Sequence, residues 1–145
     1  MKTFLKKAKR GFTITELVIV VVVIAVLMVI LLPTLMDSVN EDKQDTAISQ
    51  GRNEWTFYSA SADLPEIGEQ NYLSEVTVDG TTMYFWIIAG TFVEIPQSEK
   101  PESINVTLDG DSAPTALSVT DTQVNTGNGY QPAYDNVKIY ALSQE

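Results

Sequence analysis

The chain has 145 residues, with nine Lys and Arg, 19 Asp and Glu, and neither Cys nor His. Without Cys and His there is no Ser-His-Asp triad, no thiol nucleophile, no thiolate or imidazole zinc site and no disulfide. The formal net charge of −10 argues against nucleic acid as a partner, because phosphate binding needs clustered cations.

The basic residues are concentrated at the N-terminus. Five of the nine lie in the first ten positions, and the first acidic residue is Glu16. Removal of residues 1–11 would leave four basic side chains against 19 acidic ones, a net charge of −15. The N-terminus is therefore positively charged and the rest of the chain is negatively charged. The five N-terminal cations are Lys2, Lys6, Lys7, Lys9 and Arg10.

An unbroken apolar run of 16 residues extends from Leu17 to Leu32. As a helix it would span roughly 24 Å, and the flanking apolar residues widen it to the 25 positions from Phe12 to Met36, enough to cross a hydrocarbon core. A helix is predicted despite the many Val residues, because a backbone in lipid must satisfy its own hydrogen bonds. The preceding cations place the N-terminus in the cytoplasm and the remainder outside.

Two other kinds of apolar segment compete with this interpretation. A secretory signal has a shorter apolar core with a small-residue cleavage site behind it, and none follows here. A plain single-pass anchor fits the length but leaves Glu16 unexplained, and acids within membrane segments are functional candidates by default.

The segment Lys9–Leu17 with its Gly11, Phe12 and Glu16, followed by the apolar run and Pro33, resembles the class III signal of type IV prepilins and pseudopilins. The resemblance implies that prepilin peptidase cuts between Gly11 and Phe12 on the cytoplasmic face and that the new terminal Phe12 is N-methylated. It also implies that the apolar segment stays on the mature chain as an assembly helix.

Two residues of this segment acquire expected roles. In a fibre the Glu16 carboxylate is expected to pair with the Phe12 ammonium of a neighbouring subunit. The pair is expected chiefly to set the register between the two subunits, because a buried charge is costly without its partner. Pro33 removes a helical hydrogen bond to the carbonyl of Val29 and is expected to kink the helix. The alternative is that Pro33 ends the helix.

Beyond Pro33 the pattern remains compatible with a helix to about Ala62. Ile48, Trp55, Tyr58 and Ala62 recur on one helical face. This face is predicted to pack on a sheet.

Alternating apolar residues then predict an antiparallel sheet, with strands at Tyr72–Val78 and Thr81–Ala89 around the hairpin signal Asp79-Gly80. Thr91–Ile95 is expected to continue the second strand or to begin another. Further strands are expected at Ile104–Leu108, around Leu117 and Val119, and at Val137–Ala141, with an exposed loop over Asp121–Pro132. The predicted fold class is α+β, a long N-terminal helix on a small antiparallel β-sheet. The predicted organisation is a cleaved leader (1–11), a transmembrane assembly helix (12–36), its amphipathic continuation (37–64) and a globular β domain (65–145).

Disulfide-bearing pilins close their C-terminal segment with two cysteines, and this chain has none. Hydrogen bonding of the last strand, or a bound ion, is expected to do the same job. Asp109, Asp111 and Asp121 offer oxygen ligands of the kind that calcium prefers, but their spacing matches no calcium loop, so a solvated acidic turn is the alternative. No cofactor is otherwise expected.

The resemblance implies a structural subunit, a major or minor pilin that leaves the cytoplasmic membrane for a surface filament. Its implied partners are other copies of itself and related pilins, prepilin peptidase, and the assembly ATPase and platform protein. A pseudopilin of a type II secretion or DNA-uptake machine is the alternative. More distant alternatives are an adhesive module on a plain anchor and a membrane-anchored enzyme using a carboxylate pair such as Glu66 and Glu69, although no catalysis is expected.

Overall fold

The computed structural model describes residues 11–107 and 113–144. A single long helix, α1 (Ile14–Ser61), precedes a short 3₁₀ turn (Ile67–Glu69) and a six-stranded sheet. This arrangement confirms the predicted α+β fold, in which the helix is followed by an antiparallel sheet. The strands are β1 (Tyr72–Val78), β2 (Thr81–Ile88), β3 (Thr91–Phe92), β4 (Ser103–Val106), β5 (Thr115–Gln123) and β6 (Val137–Gln144).

The strand order in the curled sheet is β3-β2-β1-β6-β5-β4, and every neighbouring pair is antiparallel. The last strand of the chain, β6, therefore lies inside the sheet with β1 on one side and β5 on the other. Its backbone is hydrogen-bonded along both edges, as expected for a C-terminal segment that has no disulfide to hold it.

The chain divides into two compact units between Val39 and Asn40. In the second unit the sheet-facing side of α1 buries Ala47, Gly51 and Trp55, with Ile48 and Tyr58 packed beside them. The predicted helical stripe is thereby confirmed. The strand residues of this core are Tyr72, Val76, Phe85, Ile87, Phe92, Val137 and Ile139.

Gly51 sets how closely the helix approaches the sheet. A Cβ atom built at this position would lie 2.8 Å from the Phe92 ring, closer than packed side chains tolerate. One turn later the Trp55 indole N–H donates to the carbonyl of Gly90 at 2.9 Å. A small residue and an aromatic donor thus fix this part of α1 on the β2–β3 hairpin.

Two hairpins have two-residue turns with both residues at positive φ. Asp79 (47°) and Gly80 (77°) join β1 to β2, which confirms the predicted hairpin. Ala89 (49°) and Gly90 (77°) join β2 to β3. The second turn was not predicted, because Ala rarely adopts positive φ; here its N–H donates to the Asn71 side-chain oxygen at 3.0 Å.

Several predicted boundaries were wrong. The third strand is short, Thr91–Phe92 rather than Thr91–Ile95. The fifth strand runs on to Gln123, although the exposed loop was predicted to begin at Asp121. Within that predicted loop Asn125 is fully buried. An irregularity in the pairing with β6 between Val119 and Gln123 allows β5 to continue. The fourth strand ends at Val106 rather than at the predicted Leu108, and the predicted turn at Asp109-Gly110 lies outside the described residues.

Glu54 is fully buried on α1, and its carboxylate accepts four hydrogen bonds. Oε1 accepts from the Asn125 amide at 3.0 Å and from the Tyr130 hydroxyl at 2.9 Å. Oε2 accepts the backbone N–H groups of Ala133 at 2.8 Å and Tyr134 at 3.1 Å. Neutral donors therefore satisfy both oxygens of a buried carboxylate. Glu54 holds the loop between β5 and β6 against the helix.

The donors around Glu54 are themselves fixed. The Asn125 amide also donates to the Val137 carbonyl at 2.9 Å, and its side-chain oxygen accepts the Ile139 N–H at 2.9 Å, so Asn125 links the loop to β6. Burial, followed by the hydrogen bond to Glu54 and the charge of Glu54, raises the pKa of Tyr130. Tyr130 therefore stays protonated, as a donor must.

We expect Glu54→Gln to destabilise the subunit by about 2–4 kcal/mol. The amide –NH₂ must face either the Asn125–Tyr130 donors or the two backbone N–H groups, so one pair loses its acceptor in either orientation. The measurement is denaturant unfolding of the full chain in detergent, followed by tryptophan fluorescence.

The matched control for this measurement is Glu66→Gln. Glu66 is exposed before the 3₁₀ turn and makes no side-chain hydrogen bond within the described residues. This change should alter the unfolding free energy by less than about 0.5 kcal/mol. Equal losses in the two variants would contradict a structural role for the buried carboxylate.

Candidate functional site

The candidate site is the beginning of α1, where Thr13 and Glu16 cap the helix reciprocally. The Glu16 N–H donates to the Thr13 hydroxyl oxygen at 3.2 Å, and the Thr13 N–H donates to Glu16 Oε2 at 3.0 Å. This is a capping box, in which each side chain satisfies a backbone donor that the first helical turn leaves unpaired. The sequence analysis missed it, although the Thr-x-x-Glu spacing is its signature.

The cap places the start of the helix beyond the predicted cleavage site. Gly11 and Phe12 are non-helical and exposed, and the Phe12 side chain is 85% exposed. Apart from its two chain neighbours, no described residue has an atom within 4 Å of the position that a Gly11 Cβ would occupy. Within the described residues the Gly11–Phe12 peptide bond is therefore accessible without unwinding α1, as the predicted cleavage would require.

Glu16 keeps one carboxylate oxygen available. Oε2 accepts the Thr13 N–H, whereas Oε1 accepts no hydrogen bond from the residues that the structure describes. A carboxylate can accept at both oxygens. Glu16 can therefore cap its own helix and bind a further donor at once.

The apolar run behind Glu16 is uncovered. Its large side chains, from Leu17 to Leu32, are between 46% and 73% exposed. Among the described residues one helix, α1, is long and apolar enough to cross a membrane. The helix continues through Pro33 to Ser61, so the interpretation in which Pro33 ends it is wrong. A kink at Pro33 stays a prediction.

A family model described as the prokaryotic N-terminal methylation motif matches residues 6–32. This segment is the class III signal of type IV pilins. The match contains Gly11, Phe12 and Glu16 and most of the apolar run. Comparison with curated proteins and with solved structures gave no match. The signal and the long apolar helix support a type IV pilin-like or pseudopilin protein that begins as a membrane-anchored precursor.

The other candidate residues belong to the second unit of the chain. Glu66 and Glu69 are exposed beside the 3₁₀ turn, and the class III signal marks structural subunits rather than a class of enzymes. Asp121 lies 3.5 Å from the Lys100 ammonium. Asp109 and Asp111 lie outside the described residues, within which no cluster of three acidic side chains could hold a metal. Calcium binding stays a prediction.

We expect Thr13→Ala to destabilise the first turn of α1 by about 1 kcal/mol, because the Glu16 N–H loses its acceptor. In detergent micelles the amide exchange rate of Glu16 should rise about fivefold, as measured by NMR. Thr13→Ser should preserve slow exchange. Thr15→Ala is the matched control, since the Thr15 side chain makes no hydrogen bond within residues 11–107 and 113–144. Equal rises in the Thr13 and Thr15 variants would refute the cap.

Proposed function

We propose that the mature chain is a structural subunit of a type IV pilus that polymerises through α1 into a surface filament. The observation that carries the proposal is the methylation signal at the head of an apolar helix that the described part of the subunit leaves uncovered. Apolar side chains exposed to this extent need lipid around them in the precursor and other apolar helices around them in water.

In the proposed maturation, the leader stays in the cytoplasm and α1 crosses the membrane, as the five leading cations favour. Prepilin peptidase cleaves between Gly11 and Phe12 and methylates Phe12. Cleavage removes the cations that anchor the N-terminus and turns the Phe12 amide nitrogen into an ammonium. That ammonium, on a neighbouring subunit, is the proposed partner of Glu16 Oε1. Methylation of an amine preserves its charge, so the pair survives modification.

The assembly ATPase and platform protein are proposed partners because the N-terminal segment resembles the class III signal of type IV prepilins. A pseudopilin of a secretion or DNA-uptake machine is the second candidate, because it shares the signal and differs in the length and task of its fibre. The exposed loops rich in Thr, Asn and Gly favour a surface pilin.

The proposal is tested by intact-mass and N-terminal analysis of the chain purified from membranes and from sheared fibres. We expect a chain that begins at Phe12 and is about 14 mass units heavier than the unmodified form, since a methyl group replaces a hydrogen. A chain that still begins at Met1 would refute processing. Presence in sheared surface fibres favours a pilin, whereas retention in the cell envelope favours a pseudopilin.

The Glu16 pairing is tested with two variants that separate charge from capping. Glu16→Gln keeps an acceptor for the Thr13 N–H but removes the charge, whereas Glu16→Ala removes both. Both should insert and be cleaved, and neither should accumulate in sheared fibres, because an unpaired ammonium in an apolar fibre is strongly unfavourable. Fibre yield is measured by immunoblot.

The control for this comparison is Glu41→Gln, an exposed acid further along α1. It should give normal fibres. Normal fibres from Glu16→Gln, together with none from Glu16→Ala, would assign the role of Glu16 to the cap and overturn the charge pairing.

A further inference from the structure

In the second unit of the chain, α1 and the loop between β5 and β6 enclose a groove of about 390 Å³. The helix contributes Phe57 and Ser61, and the loop contributes residues 128–131 and Ala133. The volume lies in the range of small-ligand sites. All of its described lining residues belong to the second unit.

The groove is preformed. Glu54 lies one helical turn before Phe57, and its four hydrogen bonds fix the loop to α1 on both sides of residues 127–129. Gly127, Asn128 and Gly129 have φ values of 80°, 52° and 81°, and the Tyr130 N–H closes this turn on the Gly127 carbonyl at 3.0 Å. A ligand would therefore meet walls that are already ordered, which lowers the entropic cost of binding.

The lining is neutral. The chain has 19 acidic and nine basic residues, yet among the residues that the structure describes no charged side chain lines the groove. Phe57 is 54% exposed and offers an aromatic surface. The side-chain amides of Asn128 and Gln131 make no hydrogen bond within the described residues, so their donors and acceptors are unused.

The exposed aromatic ring favours a ligand that has an apolar face. The free amides and the neutral lining favour a ligand that also carries several uncharged hydroxyl groups. A sugar ring has this chemistry, because its C–H face lies against an aromatic ring while its hydroxyls exchange hydrogen bonds with amides. We propose that this groove binds a neutral saccharide, with Phe57 under the ring and Asn128 and Gln131 at its hydroxyls. Acidic sugars are disfavoured, because the described residues that line the groove include no cation and the chain is strongly negative.

The test uses the full chain dispersed in a zwitterionic detergent, because sugar-headed detergents would compete. The probes are lactose, cellobiose and N,N′-diacetylchitobiose, with sialyllactose as the charged counterpart of lactose, all titrated by calorimetry. We expect binding of at least one neutral disaccharide, and an affinity for sialyllactose at least about tenfold below that for lactose.

Two variants and a control locate the binding. Phe57→Ala and Gln131→Ala should each weaken it about tenfold. Ile95→Ala, which removes an exposed apolar side chain outside the groove, should leave it unchanged. Unchanged unfolding midpoints confirm that the variants fold.

No binding of any neutral probe, stronger binding of sialyllactose, or binding unaffected by Phe57→Ala would overturn the proposal. A loss of fibres in Phe57→Ala without saccharide binding would also overturn it and would assign the groove to a neighbouring subunit. Because binding is measured on dispersed subunits, its outcome is independent of whether the chain forms a pilus.

Discussion

The two parts of the continuous helix α1 differ in whether the subunit covers their apolar side chains. The side chains from Leu17 to Leu32 are uncovered by the subunit, whereas Ala47, Gly51 and Trp55 are covered by the sheet of the same chain. In the proposed fibre, the transfer of the first group from lipid would gain little from the hydrophobic effect, since lipid is as apolar as the partner helices, and close packing would have to supply the cohesion. The second group stabilises the subunit on folding, through burial of apolar surface. On the proposed function, the start of the helix serves assembly, whereas its end serves the fold of the subunit.

The fold at the end of α1 depends on polar contacts where disulfide-bearing pilins use a covalent bond. Glu54 and Asn125 connect the helix, the β5–β6 loop and β6 through buried hydrogen bonds. A buried carboxylate is tolerable because donors satisfy both oxygens, whereas the removal of one partner leaves a charge without compensation. A disulfide would constrain the unfolded chain as well. This network acts only in the folded state, and it also orders the walls of the adjacent groove.

The sequence predicted the regular elements well where local chemistry decides them. The end of α1 near Ala62, the strand Tyr72–Val78 and the Asp79-Gly80 turn follow from periodicity and from residues that accept positive φ. The Ala89-Gly90 turn escaped prediction because tertiary contacts, from Asn71 and Trp55, impose its conformation.

Glu54 escaped prediction for a related reason. It sits on the buried stripe seven residues after Ala47, a visible anomaly for an acid, but its donors come from more than 70 residues further along the chain. Periodicity can indicate that such a side chain is buried, yet it does not indicate what satisfies it. The capping box at Thr13 is the opposite case, because both of its members are local and their spacing is diagnostic.

The distribution of charge leaves the proposed Glu16 pairing with few possible cations. Beyond residue 11 the chain has four, and three of them already have acidic partners within the subunit: Arg52 with Glu94, Lys100 with Asp121 and Lys138 with Glu75. The fourth, Lys43, lies beyond the apolar run and would have to bring its charge into that run to reach Glu16.

The ammonium proposed for Phe12 differs from these cations, because it would arise at the head of the apolar run, four residues before Glu16, and would exist only after cleavage. In the proposed fibre the acidic surfaces of neighbouring subunits would repel one another, so an attraction that cleavage alone creates would make processing a condition for assembly. The proposed cleavage would then do more than remove an anchor, because it would supply a cation to the apolar segment from residue 12 to residue 36, which has none.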